Sequence, residues 1–210
     1  MAGSMKNIIS RCFVNAIQVT DRFHVQKLAN QALQDIRVQE RWKALDIENS
    51  FILQARKEGK TFIDKEFENG DTAKQLLIRS RCLLAMDAIK WTINQQQRAK
   101  ILFKDYPLIH QAYALTQQLR DIYNRTTIKG VAYTKLSHWY NEVQNTGLKQ
   151  FNSVINTIQV NYRTILNYFD NRSTNASAES FNAKIKAFRA QFRGVKNINF
   201  FLYRLMKLFA

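Results

Sequence analysis

The sequence predicts a mainly α-helical fold, and three observations carry this. Apolar residues recur at spacings of three and four along most of the chain, the period of a helix face. The 210 residues hold one Pro and six Gly, so few positions interrupt a helix. A single short run, Ala-Ile-Gln-Val-Thr at 16–20, reads as a strand. Hydrophobic content of 46% is ordinary for a globular chain, and the length suits one domain or a core with an insertion.

The elements follow in order. Met5, Ile8, Ile9, Cys12 and Phe13 have helical spacing, in a stretch (1–20) that contains no Asp or Glu. The strand at 16–20 ends at Asp21. A carboxylate at the C-terminal end of a strand is where α/β sites are commonly built. Asp also suits capping the helix that follows, the role that spacing alone favours, so both roles stand. That helix runs from 23 to about 55, with Val25, Leu28, Ala32, Ile36, Trp42 and Leu45 on its apolar side. His24, three residues past Asp21, is either an accessory site residue or a structural histidine.

Residues 56–71 are charged, hold two glycines and read as a loop, followed by a helix capped at Asp71. Helices are expected over 75–86, 92–104 and 107–123, the last opened by Pro107. Leu108, Ala112, Leu115, Leu119 and Ile122 form a seam for antiparallel helical packing. A turn at 126–130 precedes a helix over 131–143, and Asn145-Thr-Gly147 breaks the chain again. Leu148 through Phe169 then reads as one long amphipathic helix.

The stretch 171–197 carries the most chemistry. Asn175 or Ser177 can cap a helix that runs to about Arg193, and Gly194 suits its left-handed end. Phe181, Ile185, Phe188 and Phe192 form one stripe; Glu179, Asn182, Lys186, Arg189 and Arg193 form another. This is either an amphipathic helix with a solvated basic face or a metal-ligating carboxylate beside phosphate-binding cations. A last helix from about 197 would bury Ile198, Phe201, Leu202, Leu205, Met206 and Phe209.

Charge narrows the partners. The chain has 32 Lys and Arg against 16 Asp and Glu, a net +16, which points to a polyanion. From 171 to the end there are eight cations and one acid, Glu179. Cys12 and Cys82 match no metal spacing and read as two reduced, buried thiols. His24, His110 and His138 form no zinc pattern. The start lacks the features of a signal peptide, and no apolar run reaches the roughly 18 residues of a membrane span.

Two motifs resemble a known family. Asn-Ala-Ser-Ala-Glu-Ser-Phe-Asn-Ala-Lys-Ile-Lys (175–186), followed by Arg-Gly-Val-Lys-Asn (193–197), is similar to the segment bearing the final glutamate of insertion-sequence DDE transposases, the ISL-three family above all. Thr-Asp-Arg-Phe-His-Val-Gln-Lys-Leu-Ala-Asn (20–30) resembles the segment bearing that family's second aspartate. The resemblance implies an RNase H-like core with a large all-helical insertion, and Mg²⁺ or Mn²⁺ held by three carboxylates for cleavage and transfer of DNA strands. Asp21 would be the second carboxylate and Glu179 the third, and the two would have to converge. Arg172, Asn182, Lys184, Lys186, Arg189, Arg193 and Lys196 would contact DNA.

No residue before Asp21 supplies the first carboxylate. The expectation is a C-terminal part of a transposase, begun just past that aspartate and inactive alone, with no metal firmly expected. Residues 1–40 would be the core remnant with one residual strand, 41–170 the insertion, and 171–210 the closing core helices. Partners would be DNA, a second copy or a full-length transposase, at the bacterial nucleoid in the cytoplasm and not at a membrane. The competing expectations are a non-enzymatic, basic helical nucleic-acid-binding protein and a basic helical subunit of a larger assembly.

Overall fold

A computed structural model describes residues 11–174, 176–194 and 196–209, apart from the side chains of 176–178 and 209. The spacing of Met5, Ile8 and Ile9 and the two candidate caps, Asn175 and the Ser177 side chain, lie outside that description. The chain is mainly helical and forms two compact units, Met1–Asn171 and Arg172–Ala210.

In the first unit, α1 (Arg22–Lys57) packs against α2 (Ala73–Ala85), α4 (Pro107–Arg125) and α6 (Asn152–Leu166). Helix α3 (Ile93–Asp105) bridges α2 and α4, and α5 (Lys129–Thr146) closes on α4 and α6. Local chemistry sets the boundaries. Thr72 with Gln75 and Thr92 with Gln95 form capping boxes that satisfy the first amides of α2 and α3. Pro107 opens α4, where its missing N–H is no loss. Gly147 ends α5 at φ 66°, a left-handed conformation that a side chain would strain. Ile109, Ala112, Leu115, Leu119 and Ile122 of α4 are buried at the centre. Trp139 Nε1 donates to the Leu115 carbonyl at 2.8 Å, which ties α5 to that centre.

Several expectations are corrected. Residues 16–20 form no strand; among the described residues the only β contact is an isolated bridge between Glu66 and Thr72. A strand needs a partner, and this segment finds a helix end instead. The Thr20 amide donates to the Thr164 carbonyl (2.9 Å), and Asn167 Nδ2 donates to the Gln18 carbonyl (3.0 Å). Thr72, not Asp71, caps α2. Asp71 is fully buried and accepts hydrogen bonds from Arg79 and from Arg98 Nε, the latter at 2.8 Å. The seam on α4 starts at Ile109, while Leu108 is exposed.

The long helix expected over 148–169 is three pieces: a 3₁₀ turn (Lys149–Phe151), α6, and α7 (Tyr168–Asn171). Asn161 departs from helical geometry at φ −115°, ψ 18°. Its side chain donates to the Thr157 carbonyl, and Thr164 Oγ1 donates to the Asn161 carbonyl; such bonds compete with the helix ladder. Trp42 is exposed, and the buried residues of α1 end at Arg37. Cys12 and Cys82 are free but exposed, not buried.

The second unit is α8 (Ala176–Gln191) followed by α9 (Ile198–Phe209). Gly194 turns the chain at φ 94°, in keeping with its expected role at the end of α8. Asn197 starts α9 by accepting from the Phe200 amide at 3.0 Å. Phe188 is buried against Phe192 and Phe201, at ring separations of 4.5 and 5.5 Å. The expected buried stripe of α9 is mostly not buried: Ile198, Leu202 and Met206 are exposed, and Phe201 and Leu205 are half-buried. A unit with one other helix to pack against lacks the surface to cover that face.

Candidate nucleic-acid interface

The turn between α8 and α9 builds a basic cleft. The end of α8 supplies Arg189, and the turn around Gly194 supplies Arg193 and Lys196. Phe192, Phe201, Ile198 and Leu202 form the apolar part of a cavity of about 670 Å³. Tilted ring contacts of Phe188 with Phe192 and Phe201 hold the two helices in this elbow. The Arg204 guanidinium lies 5.9 Å from the centre of the Phe192 ring, so a fourth cation borders the aromatic wall. Lys184, Lys186 and Asn182 are exposed earlier on α8. No ion pair joins Lys184, Lys186, Arg189, Arg193 or Lys196 to a carboxylate among the described residues. Positive charge beside flat aromatic faces is what binds phosphates and stacks bases.

Glu179 is exposed in the first turn of α8, where the helix dipole favours a negative charge. Arg172 precedes α8 with a left-handed backbone, φ 50°.

Asp21 belongs to the first unit, as the N-cap of α1. It is 6% exposed, and the Phe23 amide donates to its Oδ1 at 2.8 Å. Thr20 Oγ1 and Thr164 Oγ1 share a 2.7 Å hydrogen bond beside it. Asp21 therefore performs the capping role that the sequence left open. His24 is exposed on the first turn of α1, edge-on to Phe23.

Tyr123 is a neighbour that sequence reasoning missed. Among the described residues its buried hydroxyl has no hydrogen-bond partner. Burial, then the nearby Tyr168 and Asp21, raise its pKa well above the ordinary tyrosine value. Its ring stacks on Phe169 at 5.5 Å, and α4 and α7 thereby enclose the start of α1. The only available signal was its place directly after Ile122 of the α4 seam.

A family model described as a transposase, that of the DDE transposases of the ISL-three (ISL3) group, matches residues 1–205. The chain belongs to this transposase family, whose work is DNA transposition in insertion sequences. No curated protein and no solved structure matches the chain. Among the described residues no helix is long and apolar enough to cross a membrane.

Proposed function

We propose that these 210 residues are the DNA-binding part of a DDE catalytic domain, and that the cleft between α8 and α9 is where DNA is held. The observation that carries this is the convergence of Arg189, Arg193 and Lys196 on an aromatic-walled cavity. Lys184, Lys186, Asn182 and Arg172 extend the contact along α8 and its approach. Residues 1–40 would contribute the RNase H-like part and 41–170 the helical insertion. A boundary near 40 falls inside α1, so the insertion would grow from a continuous helix. Asp21 and Glu179 are proposed as the second and third carboxylates, with His24 as an accessory.

The family chemistry uses divalent ions, and the donor set here does not fit a two-ion centre. Such ions take several oxygen ligands each. No group of three or more His, Cys, Asp or Glu side chains that could hold a metal ion occurs among the described residues. Residues 1–20 contain no acid, and one oxygen of Asp21 is already committed to the Phe23 amide. On this reading the chain by itself would bind DNA without cutting it, in the bacterial cytoplasm at the nucleoid. A second copy or a full-length transposase would be its protein partner.

The capping role of Asp21 favours a second reading, a basic helical nucleic-acid-binding protein that uses no carboxylate chemistry. Titration with Mn²⁺ separates the two. Binding that is weakened in both Asp21→Asn and Glu179→Gln supports paired carboxylates, and unchanged binding favours the second reading. Gel-shift measurements on unrelated duplexes test the shared claim. Equal affinity for all of them, lowered in Arg189→Ala/Arg193→Ala, is expected; no binding at low salt removes both readings.

A further inference from the structure

A second cationic cluster lies outside the cleft, on the seam between α1 and α2. Arg37 is 6% exposed, which is unusual for a guanidinium. Its hydrogen bonds go to neutral groups only. Nε donates to Gln34 Oε1 at 2.7 Å, and Nη1 donates to the Leu77 carbonyl at 2.9 Å. No acceptor among the described residues meets Nη2.

The surroundings add charge of the same sign. Arg41 lies one turn along α1, and Arg81 lies one turn beyond Leu77 on α2. Gln34 Nε2 donates to the Arg81 carbonyl at 3.1 Å, which pins α2 at this level. Burial lowers the Arg37 pKa from its ordinary value, and the charges of Arg81 and Arg41 lower it further. The nearby acids of α1 are engaged elsewhere: Glu40 pairs with Lys43 at 2.7 Å, and Asp35 accepts from Gln31 at 2.8 Å. A buried cation without a counter-charge, pressed by two more cations, is costly. An anion at the mouth of the seam removes that cost. Arg81 is exposed and Arg41 half-buried, so the mouth is open to solvent.

We propose that Arg37, Arg41 and Arg81 form a phosphate site, which takes one backbone phosphate of DNA bound by the first unit. Planar guanidinium groups suit such an anion because each offers paired donors. This deepens the DNA-binding reading and rests on it for the identity of the ligand, but not for the existence of the anion site.

The test uses the whole chain and inorganic phosphate as probe, against chloride at equal ionic strength. Phosphate is expected to shift the Arg37 Nε–H resonance saturably, and Arg41→Gln/Arg81→Gln is expected to abolish that shift. Both substitutions lie at the solvent side of the seam and leave the Arg37 hydrogen bonds in place. In DNA titrations the same variant should flatten the log–log salt slope by about 0.9, the value for one lost phosphate contact. Between 50 and 200 mM salt that is about a 3.5-fold smaller loss of affinity. No shift with phosphate, or an equal shift in the variant, overturns the site. A phosphate shift without any DNA binding keeps the anion site and refutes the DNA reading. DNA binding that responds to Lys186→Ala/Arg189→Ala but not to Arg41→Gln/Arg81→Gln keeps that reading and overturns this inference.

Discussion

Removing cations from α8 should change how DNA binding responds to salt, and the size of the change follows from the structure. Lys186 and Arg189 are neighbours one turn apart on the exposed face of α8, and Arg193 and Lys196 continue the line into the cleft. If each of these four meets one phosphate, counterion release gives a log–log slope of about −3.6. Affinity then falls about 150-fold between 50 and 200 mM salt. Lys186→Ala/Arg189→Ala leaves two contacts, a slope of about −1.8 and a loss of only about 12-fold over the same range. Fluorescence anisotropy of a labelled duplex at five salt concentrations measures both slopes. Lys186 and Arg189 are both exposed, so the fold should persist, and a melting curve checks that. A flat salt response in the unaltered chain, or an unchanged slope in the variant, refutes the reasoning. So does a variant that alters only the preference among sequences, because phosphate contacts carry no sequence information.

Further predictions concern the first unit. Asp71→Ala should destabilise the fold by about 2–3 kcal/mol in urea melts; this is under the range for a fully buried pair because water reaches the half-exposed Arg79 left behind. Burial would raise the Asp71 pKa, but the hydrogen bonds from Arg98 and Arg79 outweigh it and hold it below the ordinary value. The stabilisation is therefore present above the unfolded pKa of about 4 and lost as pH falls through the lower folded value, a dependence that Asp71→Asn should remove from acid-melt curves. Asp21→Ala should cost about 1 kcal/mol through the lost cap of α1, whereas Asp21→Asn, which caps as well, should cost little in the same thermal melts. The purified chain should not nick supercoiled DNA with Mg²⁺ or Mn²⁺; nicking that disappears in Asp21→Asn would overturn the reading of its carboxylates.

What the sequence made legible was local. The starts at Thr92 and Pro107 and the stop at Gly147 are decided by residues within one turn of the boundary. What was hidden depends on partners distant in sequence. The run at 16–20 has strand composition, yet without another strand its backbone bonds to Thr164 and Asn167. Asp71 looks like a cap until Arg98, 27 residues on, is seen to reach it. The period of 148–169 is helical throughout, and the side-chain bonds at Asn161 account for the kink within α6 that the period does not show. In the site, the cations of α8 were visible as a charged face, whereas the aromatic wall formed with Phe201 required knowing how α9 folds back. Arg37 was invisible because a charged residue on a helix ordinarily faces water.

The two carboxylates proposed for the family chemistry share one physical circumstance. Asp21 caps a helix of 36 residues, and Glu179 sits in the first turn of α8. At a helix start the aligned peptide dipoles present partial positive charge, which favours an anionic side chain and opposes a cation brought to it. A carboxylate so placed is well held but weakened as a ligand for Mg²⁺. Each would have to overcome its own dipole, and Asp21 would also have to share or surrender the Phe23 amide. Additional negative charge restores the balance, since a third carboxylate adds attraction for the ion without adding another helix start to oppose it. The same fields act in the opposite sense on DNA, whose phosphates are drawn to helix starts and to cations alike. Dipoles and net charge thus favour binding the nucleic acid while disfavouring the ions needed to cut it. On the proposed reading, affinity for DNA and the capacity to cleave it would be separable properties of these 210 residues.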